Sequence, residues 1–205
     1  MSDLLSFYKK FKMKKNIKRN SKYIDLSEET FYSENFSVDI RKPSPREDKY
    51  LTVGKHGIIG GSFIFETSTG KIQIGDRCHI GGGQFISRDS ITIGNDVTIA
   101  WDVILYDHNS HSIYWNERKN DTEQEYQDLL TTGDECANKN WSFVKSAPIV
   151  IKDKAWLGFG VTVLKGVTIG EGAVIGARSV VTHDIPAWTV AAGNPAVVVK
   201  KLPHE

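Results

Sequence analysis

The chain has 205 residues, 40% of them hydrophobic and 25% charged, which is ordinary for one soluble domain with appendages. A formal net charge of +1 gives no global reason to expect nucleic acid or another polyanion as partner. Cys78 and Cys136 form no C-x-x-C pair and no stretch is apolar enough to span a bilayer, so a reduced, cytoplasmic setting is expected.

Residues 1–20 predict a basic helix, with Leu4, Leu5, Tyr8 and Phe11 on one side. Lys9, Lys10, Lys12, Lys14, Lys15, Lys18 and Arg19 form its charge run. Such a helix suits packing on its own assembly with a solvated basic face. The sharper, less favoured reading is peripheral contact with an anionic membrane, which would put the protein at the inner face of that membrane. Residues 21–50 read as polar and irregular, with Pro43 and Pro45 marking an extended entry to the aliphatic run that begins after residue 50.

Residues 51–107 carry a first run of aliphatics: Ile74, Ile80, Ile86, a one-residue slip, then Ile93, Ile99 and Leu105, with Ile58 and Ile64 extending it backwards. Residues 108–148 interrupt the pattern with an acidic insertion, in which a short helix is expected around 121–130. An irregular stretch of that length inside a compact domain is usually functional. A second, cleaner block spans 149–190, where every sixth residue is Ile151, Leu157, Val163, Ile169, Ile175 and Val181. Four places after each stand Ala155, Val161, Val167, Ala173, Ser179 and Ile185, small or aliphatic every time. Residues 191–205 form a tail through Gly193-Asn194-Pro195.

A six-residue period fits neither an α-helix nor a long alternating strand. It fits a short strand and a turn, repeated, with three such units closing a triangular coil and stacked coils burying the aliphatics in columns. A doubly wound α/β domain would need helical segments between the strands, and 149–185 has no room for them. The expected fold is therefore an all-β parallel β-helix with a long loop insertion and an N-terminal helical extension. Glycines follow the aliphatics at Gly75, Gly81, Gly94, Gly158, Gly170 and Gly176, and positive φ is the expected reason. Periodicity leaves the handedness open.

The chemistry concentrates where the first block gives way to the insertion, at Asp107-His108-Asn109-Ser110-His111. A histidine there is anchored by scaffold on one side and faces a loop on the other, a good setting for a positioned base. His108 is the candidate catalytic base and His111 a helper or substrate contact. In an extended segment Asp107 would face away from His108, so the imidazole needs another orienter, a backbone carbonyl or a residue of another subunit. Zinc held by His79, His108 and His111 is the weaker reading of the same residues, and no metal is expected. Trp115 and Trp141 lie in the insertion, where aromatic rings serve either to stack on a sugar or cofactor or to anchor the loop. Cys78 falls on a small inward position and is expected in the core.

The segments ITIGNDVTIAWDVILYDHNSH, IVIKDKAWLGFGVTVLKGVTIGEGAVIGARSVVTHDIP and AAGNPA resemble the hexapeptide-repeat acetyltransferases, and most nearly those that O-acetylate capsule, lipopolysaccharide and related glycans. The resemblance covers about 51–200. It implies a left-handed β-helix and a homotrimer with active sites between subunits. It also implies direct transfer from acetyl-CoA to a sugar hydroxyl, with His108 as general base; a backbone N–H near Trp156–Gly158 is the expected stabiliser of the oxyanion. Coenzyme A would run along the second block beside Trp156, Gly158, Ala177 and Thr182, and Lys200 would meet its phosphates. Gln84 stands nearest the acceptor-side asparagine of galactoside-type relatives. Two departures are Phe159, where those relatives have Ser, and Thr182-His183-Asp184, where they have Thr-Lys-Asp. An amino-sugar N-acetyltransferase on the same fold is the nearest competing function, and a non-catalytic β-helical assembly protein is a competitor of another class.

Overall fold

The computed structural model describes residues 2–44 and 47–203, the side chains of 2–4 excepted. Leu4 and Pro45 of the sequence reading therefore lie outside the described side chains and residues. A helix, α1 (Ser2–Asn20), precedes six coils, each laying one short strand on each of three parallel sheets. The first coil is β1 (Ile24–Leu26), β2 (Phe31–Tyr32) and β3 (Ser37–Ile40), and the second is β4 (Leu51–Val53), β5 (Ile58–Ile59) and β6 (Ser62–Phe65). The third holds β7 (Ile72–Ile74), β8 (His79–Ile80) and β9 (Gly83–Ser87), the fourth β10 (Ile91–Ile93), β11 (Thr98–Ile99) and β12 (Val103–Tyr106). After the insertion come β13 (Ile149–Ile151), β14 (Trp156–Leu157) and β15 (Thr162–Leu164), then β16 (Thr168–Ile169), β17 (Val174–Ile175) and β18 (Val180–Val181). A hairpin of β19 (Thr189–Gly193) and β20 (Ala196–Lys201) continues the second sheet past the last coil.

Each sheet contributes a column of inward side chains in register. Val53, Ile74, Ile93 and Ile151 stack on the first, and Ile59, Ile80, Ile99, Leu157, Ile175 and Ala191 on the second. Val38, Phe63, Phe85, Leu105, Val163 and Val181 stack on the third. All are buried, and they form one continuous core. Burying such side chains is worth about 1.5–3 kcal/mol each against exposure, which is what binds coil to coil. The core is aromatic at its N-terminal end, where Phe63 and Phe85 lie stacked with centroids 4.8 Å apart, and small toward the other.

Three sequence expectations change. Residues 21–50 are not simply irregular: 24–40 form a complete first coil, whose backbone bonds to the second coil in register. Ile64 and Ile86 point outward, and Phe63 and Phe85 fill the prism instead, because a glycine-rich corner shortens the path into the third sheet; Ile58 also points outward, next to the inward Ile59. The glycines after the aliphatics do not have positive φ. They are glycines because coils approach too closely for a side chain: a Cβ on Gly158 would lie 2.8 Å from Ala177 N and 2.9 Å from Ile175 O. Positive φ falls instead on other corner residues, at the corner between the first two sheets on His56, Arg77, Asp96, Lys154, Gly172 and Trp188, and at the next corner on Asp102, Gly160 and Arg178. At the first of these corners the side chains form a charged ladder, with Arg77 bonded through two nitrogens to Asp96 at 2.7 and 2.8 Å and Lys154 to Glu171 at 2.6 Å.

The N-terminal helix covers the open edge of the third sheet. Asn16 acts as a substitute strand: its Nδ2 donates to Val38 O at 2.9 Å and its Oδ1 accepts from Val38 N at 2.8 Å. Asn20 adds a second bond to the same carbonyl, and Met13 and Ile17 pack against the core. An otherwise exposed strand edge is thereby closed.

Candidate active site

β12 ends at Tyr106, and the chain leaves the prism through two buried residues that face different ways. Asp107 accepts hydrogen bonds from Ser87 Oγ, Arg88 N and Asp89 N at 2.8, 2.8 and 2.9 Å, which ties the end of β12 to the coil beneath it. Burial raises its carboxyl to about pKa 6 even against those three donors. It makes no bond to His108, in keeping with alternation along an extended segment.

His108 has a side chain with no exposed surface. Ser110 N–H donates to its Nδ1 at 3.1 Å, which leaves the proton of the neutral ring on Nε2. Nε2 stands 3.2 Å from Glu66 Oε2, at ion-pair distance but without hydrogen-bond alignment, so its proton is not spent on the protein. The rings of Tyr106 and Trp141 meet the imidazole edge-on at 4.6 and 5.8 Å. Burial, then the charges of Arg88 and Lys139, push His108 down to about pKa 4. The ring is therefore neutral at physiological pH.

Glu66 is the partner that sequence reading missed. It follows the last residue of β6, and Arg41 reaches it at 3.5 Å. Burial raises its carboxyl above the usual range, with Arg41 and Lys139 opposing. Among the described residues the one hydrogen bond to the ring of His108 is from an amide N–H, with the Glu66 carboxylate close by, whereas the sequence suggested a backbone carbonyl or a residue of another subunit.

The insertion folds over this imidazole. It contains α2 (Trp115–Arg118), α3 (Asp121–Thr132) and a 3-10 turn at Trp141–Phe143. α3 coincides with the helix expected around 121–130 and ends on Gly133 at φ 76°. His111 is tied to α3, its Nδ1 2.6 Å from Asp121 Oδ2. Trp141 is held between two cations, with Arg88 Cζ 5.3 Å and Lys139 Nζ 5.1 Å from its ring, and Arg88 also donates to the Trp141, Val144 and Ser146 oxygens. The Trp141 indole N–H and Arg88 Nε, like His108 Nε2, are buried with no hydrogen-bond partner among the described residues. Trp115 stands 64% exposed, with Arg118 over its ring, and is not brought to His108.

The remaining candidates lie on the prism. Gln84 is exposed on the outer face of β9, in register with Ile104. His79 is exposed on the second sheet, apart from His108, and among the described residues no three metal-binding side chains cluster. Trp156 is 52% exposed on β14, and Gly158 and Ala177 stack at the next corner. Thr182 follows β18 at a different corner, its Oγ1 2.9 Å from His183 Nδ1, and Lys200 is exposed on β20 opposite Val190. The Trp156 and Gly158 amides donate to Ala173 O and Ile175 O at 2.8 and 2.9 Å, so neither is free to receive an oxyanion there. At the departures, Asp184 Oδ1 accepts from Thr168 N at 2.7 Å, and Arg178 lies over the ring of Phe159.

The bacterial transferase hexapeptide family (six repeats) matches residues 148–183. WbbJ of Escherichia coli K12, assigned to lipopolysaccharide biosynthesis as an O-acetyl transferase, is 38% identical over 135 residues, 66% of this chain and 60% of WbbJ. The chain thus spans less than two thirds of that relative's length. The solved polySia-specific acetyltransferase NeuO is 30% identical, with a TM-score of 0.55, over 87% of this chain and 80% of its own. AntD, an N-acyltransferase from Bacillus cereus solved with dTDP and coenzyme A, shares the fold at 19% identity and a TM-score of 0.63, over 87% of this chain and 84% of its own. The fold is the left-handed parallel β-helix, and the chain belongs to the hexapeptide-repeat transferase family.

Proposed function

We propose that this protein transfers an acetyl group from acetyl-CoA to a sugar hydroxyl of a glycan or glycan precursor, with His108 as the general base. The observation that carries the reading is a neutral, buried imidazole where the repeat breaks into the insertion, with an Nε2–H that has no hydrogen-bond partner among the described residues and an Nδ1 lone pair held only by a backbone N–H. WbbJ and NeuO, named as a lipopolysaccharide O-acetyl transferase and a polySia acetyltransferase, support the acyl group and the glycan class. The acceptor oxygen attacks the thioester carbonyl as its proton passes to the imidazole, and the coenzyme thiolate leaves; no acyl-enzyme forms. Base catalysis of this kind contributes about 10²–10⁴-fold. To present a lone pair, His108 must give up the Ser110 contact or turn its ring, and the insertion must open to admit the acceptor.

The exposed indole of Trp156 beside the side-chain-poor corner of Gly158 and Ala177 fits a thread-like acyl donor laid along the second block. Thr182 and Lys200 lie further along the same half of the chain and extend that reading. A homotrimer with sites between subunits is supported by the outer face of the third sheet, where Ile64, Ile86, Ile104, Leu164 and Val180 remain only half-buried in the single chain.

Incubation with acetyl-CoA and a panel of glycans, following free thiol, tests the activity. Mild alkali then separates the products, because esters are lost and amides survive. Alkali-stable product would assign the chain to the N-acetyl class, and absence of thiol release with every acceptor together with no coenzyme A binding would favour an assembly protein.

A further inference from the structure

α1 has two apolar faces, and the prism uses one. Its rotation is set by Met13 and Ile17, which pack on the core, and by Asn16 and Asn20, which bond to Val38. That orientation turns Phe7, Tyr8 and Phe11 outward, where they are 69%, 52% and 58% exposed, with Leu5 at 56% on the margin. Lys14, Lys15 and Lys18 continue the Phe7–Phe11 stripe at helical spacing. Of the six apolar side chains described in α1, Met13 and Ile17 hold it to the protein, while Leu5, Phe7, Tyr8 and Phe11 stand away from the core.

We propose that this outward stripe docks on an anionic membrane surface, with the helix lying in the interface plane. The rings would enter the headgroup and acyl boundary while lysines on the same side meet lipid phosphates. Lys12 already lies over the Tyr8 ring at 4.7 Å, a stem along the apolar surface with its charge at the rim. Beside the stripe, α1 and residues 34–37 bound a groove of 810 Å³ edged by Lys9, Lys12, Lys15 and Arg19, with Glu34 as the acid among its described lining residues. A soluble polyanion would satisfy these cations but would leave exposed phenyl rings without an apolar phase, and that difference selects a lipid surface. No helix among the described residues is long and apolar enough to cross a membrane, so the contact is peripheral. The proposal does not rest on acyl transfer, and its test reads no turnover.

The full chain is sedimented with vesicles of phosphatidylcholine alone or mixed with phosphatidylglycerol. Binding to the mixed vesicles only, abolished by about 1 M salt, is expected. Lys15→Gln with Lys18→Gln should lower partition about thirtyfold, and Phe7→Ser with Phe11→Ser on the order of tenfold or more. These side chains are exposed, so circular dichroism and thermal unfolding should be unchanged. Failure of the parent chain to bind mixed vesicles would overturn the proposal. So would binding by both variants equal to that of the parent chain, or loss on charge removal alone with full competition by a soluble anionic polysaccharide, which would mark a polyanion site.

Discussion

Glu66 and His108 belong to different coils, yet Glu66 Oε2 lies 3.2 Å from His108 Nε2 inside the closed insertion. Arg41 holds the carboxylate from the far side at 3.5 Å and bridges it to Glu135 of the insertion at 3.2 Å. The imidazole is thus positioned by a coil laid down well before it and by the loop that covers it.

Replacing Glu66 tests that positioning. Glu66→Ala should lower kcat on the order of tenfold to a hundredfold, because a small misplacement of a base is enough to cost that much. The KM for acetyl-CoA should hardly move, and Glu66→Gln, which keeps the shape, should recover most of the rate. An equal loss in Ala and Gln variants would mean that charge rather than placement is what Glu66 supplies.

The pH dependence follows from His108. Burial, with Arg88 and Lys139, depresses it to about pKa 4, so the acid limb of kcat/KM should fall near pH 4, well below the ordinary histidine value of about 6.5. Removing one of the charges, as in Lys139→Gln, should move that limb upward. Stability carries the same sign: the unfolded histidine binds its proton first as pH falls, so the native state loses stability between about pH 6.5 and 4. Asp107, raised to about 6, acts in the opposite sense, favouring the native state as pH falls through that value. Comparing urea unfolding of the parent chain and His108→Asn at pH 7 and 5 separates the two; parallel losses in both proteins would contradict the assignment to His108.

The corner glycines and the left-handed corner residues make opposite predictions. A Cβ at Gly75 would sit 2.6 Å from Asn95 Oδ1 and 2.7 Å from Gly94 O, so Gly75→Ala should destabilise by about 1–3 kcal/mol. His56, exposed at φ 59°, carries a conformational cost that glycine would not, so His56→Gly should be neutral or stabilising by up to about 1 kcal/mol. Thermal unfolding resolves both, since 1 kcal/mol is about 2–4 °C for a chain of this size.

How far the fold could be read depended on what filled the prism. Ile151, Leu157, Val163, Ile169, Ile175 and Val181 are all at most 1% exposed, and six-residue spacing was enough to find them. The first coil escaped because its strands carry few aliphatics and its helix-covered edge is closed by Asn16 and Asn20, polar residues with no hydrophobic signal. Ile86 and Phe85 are both apolar, so periodicity alone chose the wrong neighbour, and a shortened glycine corner decided it. At the site, His108 was legible from its place at the break in the repeat. Glu66 was not, because nothing local to it shows that a distant insertion folds back over the end of β6. The amides of Trp156 and Gly158 were misassigned for a related reason: spacing shows that a corner exists, but not that its N–H groups are already used by the next coil.

The most direct test of the account compares thiol release by the parent chain and His108→Ala with acetyl-CoA and a responsive glycan acceptor, alongside acetyl-CoA binding by calorimetry. A fall of about 10²–10⁴-fold in turnover with donor affinity retained is predicted. Turnover near the parent rate in the variant would contradict His108 as the base.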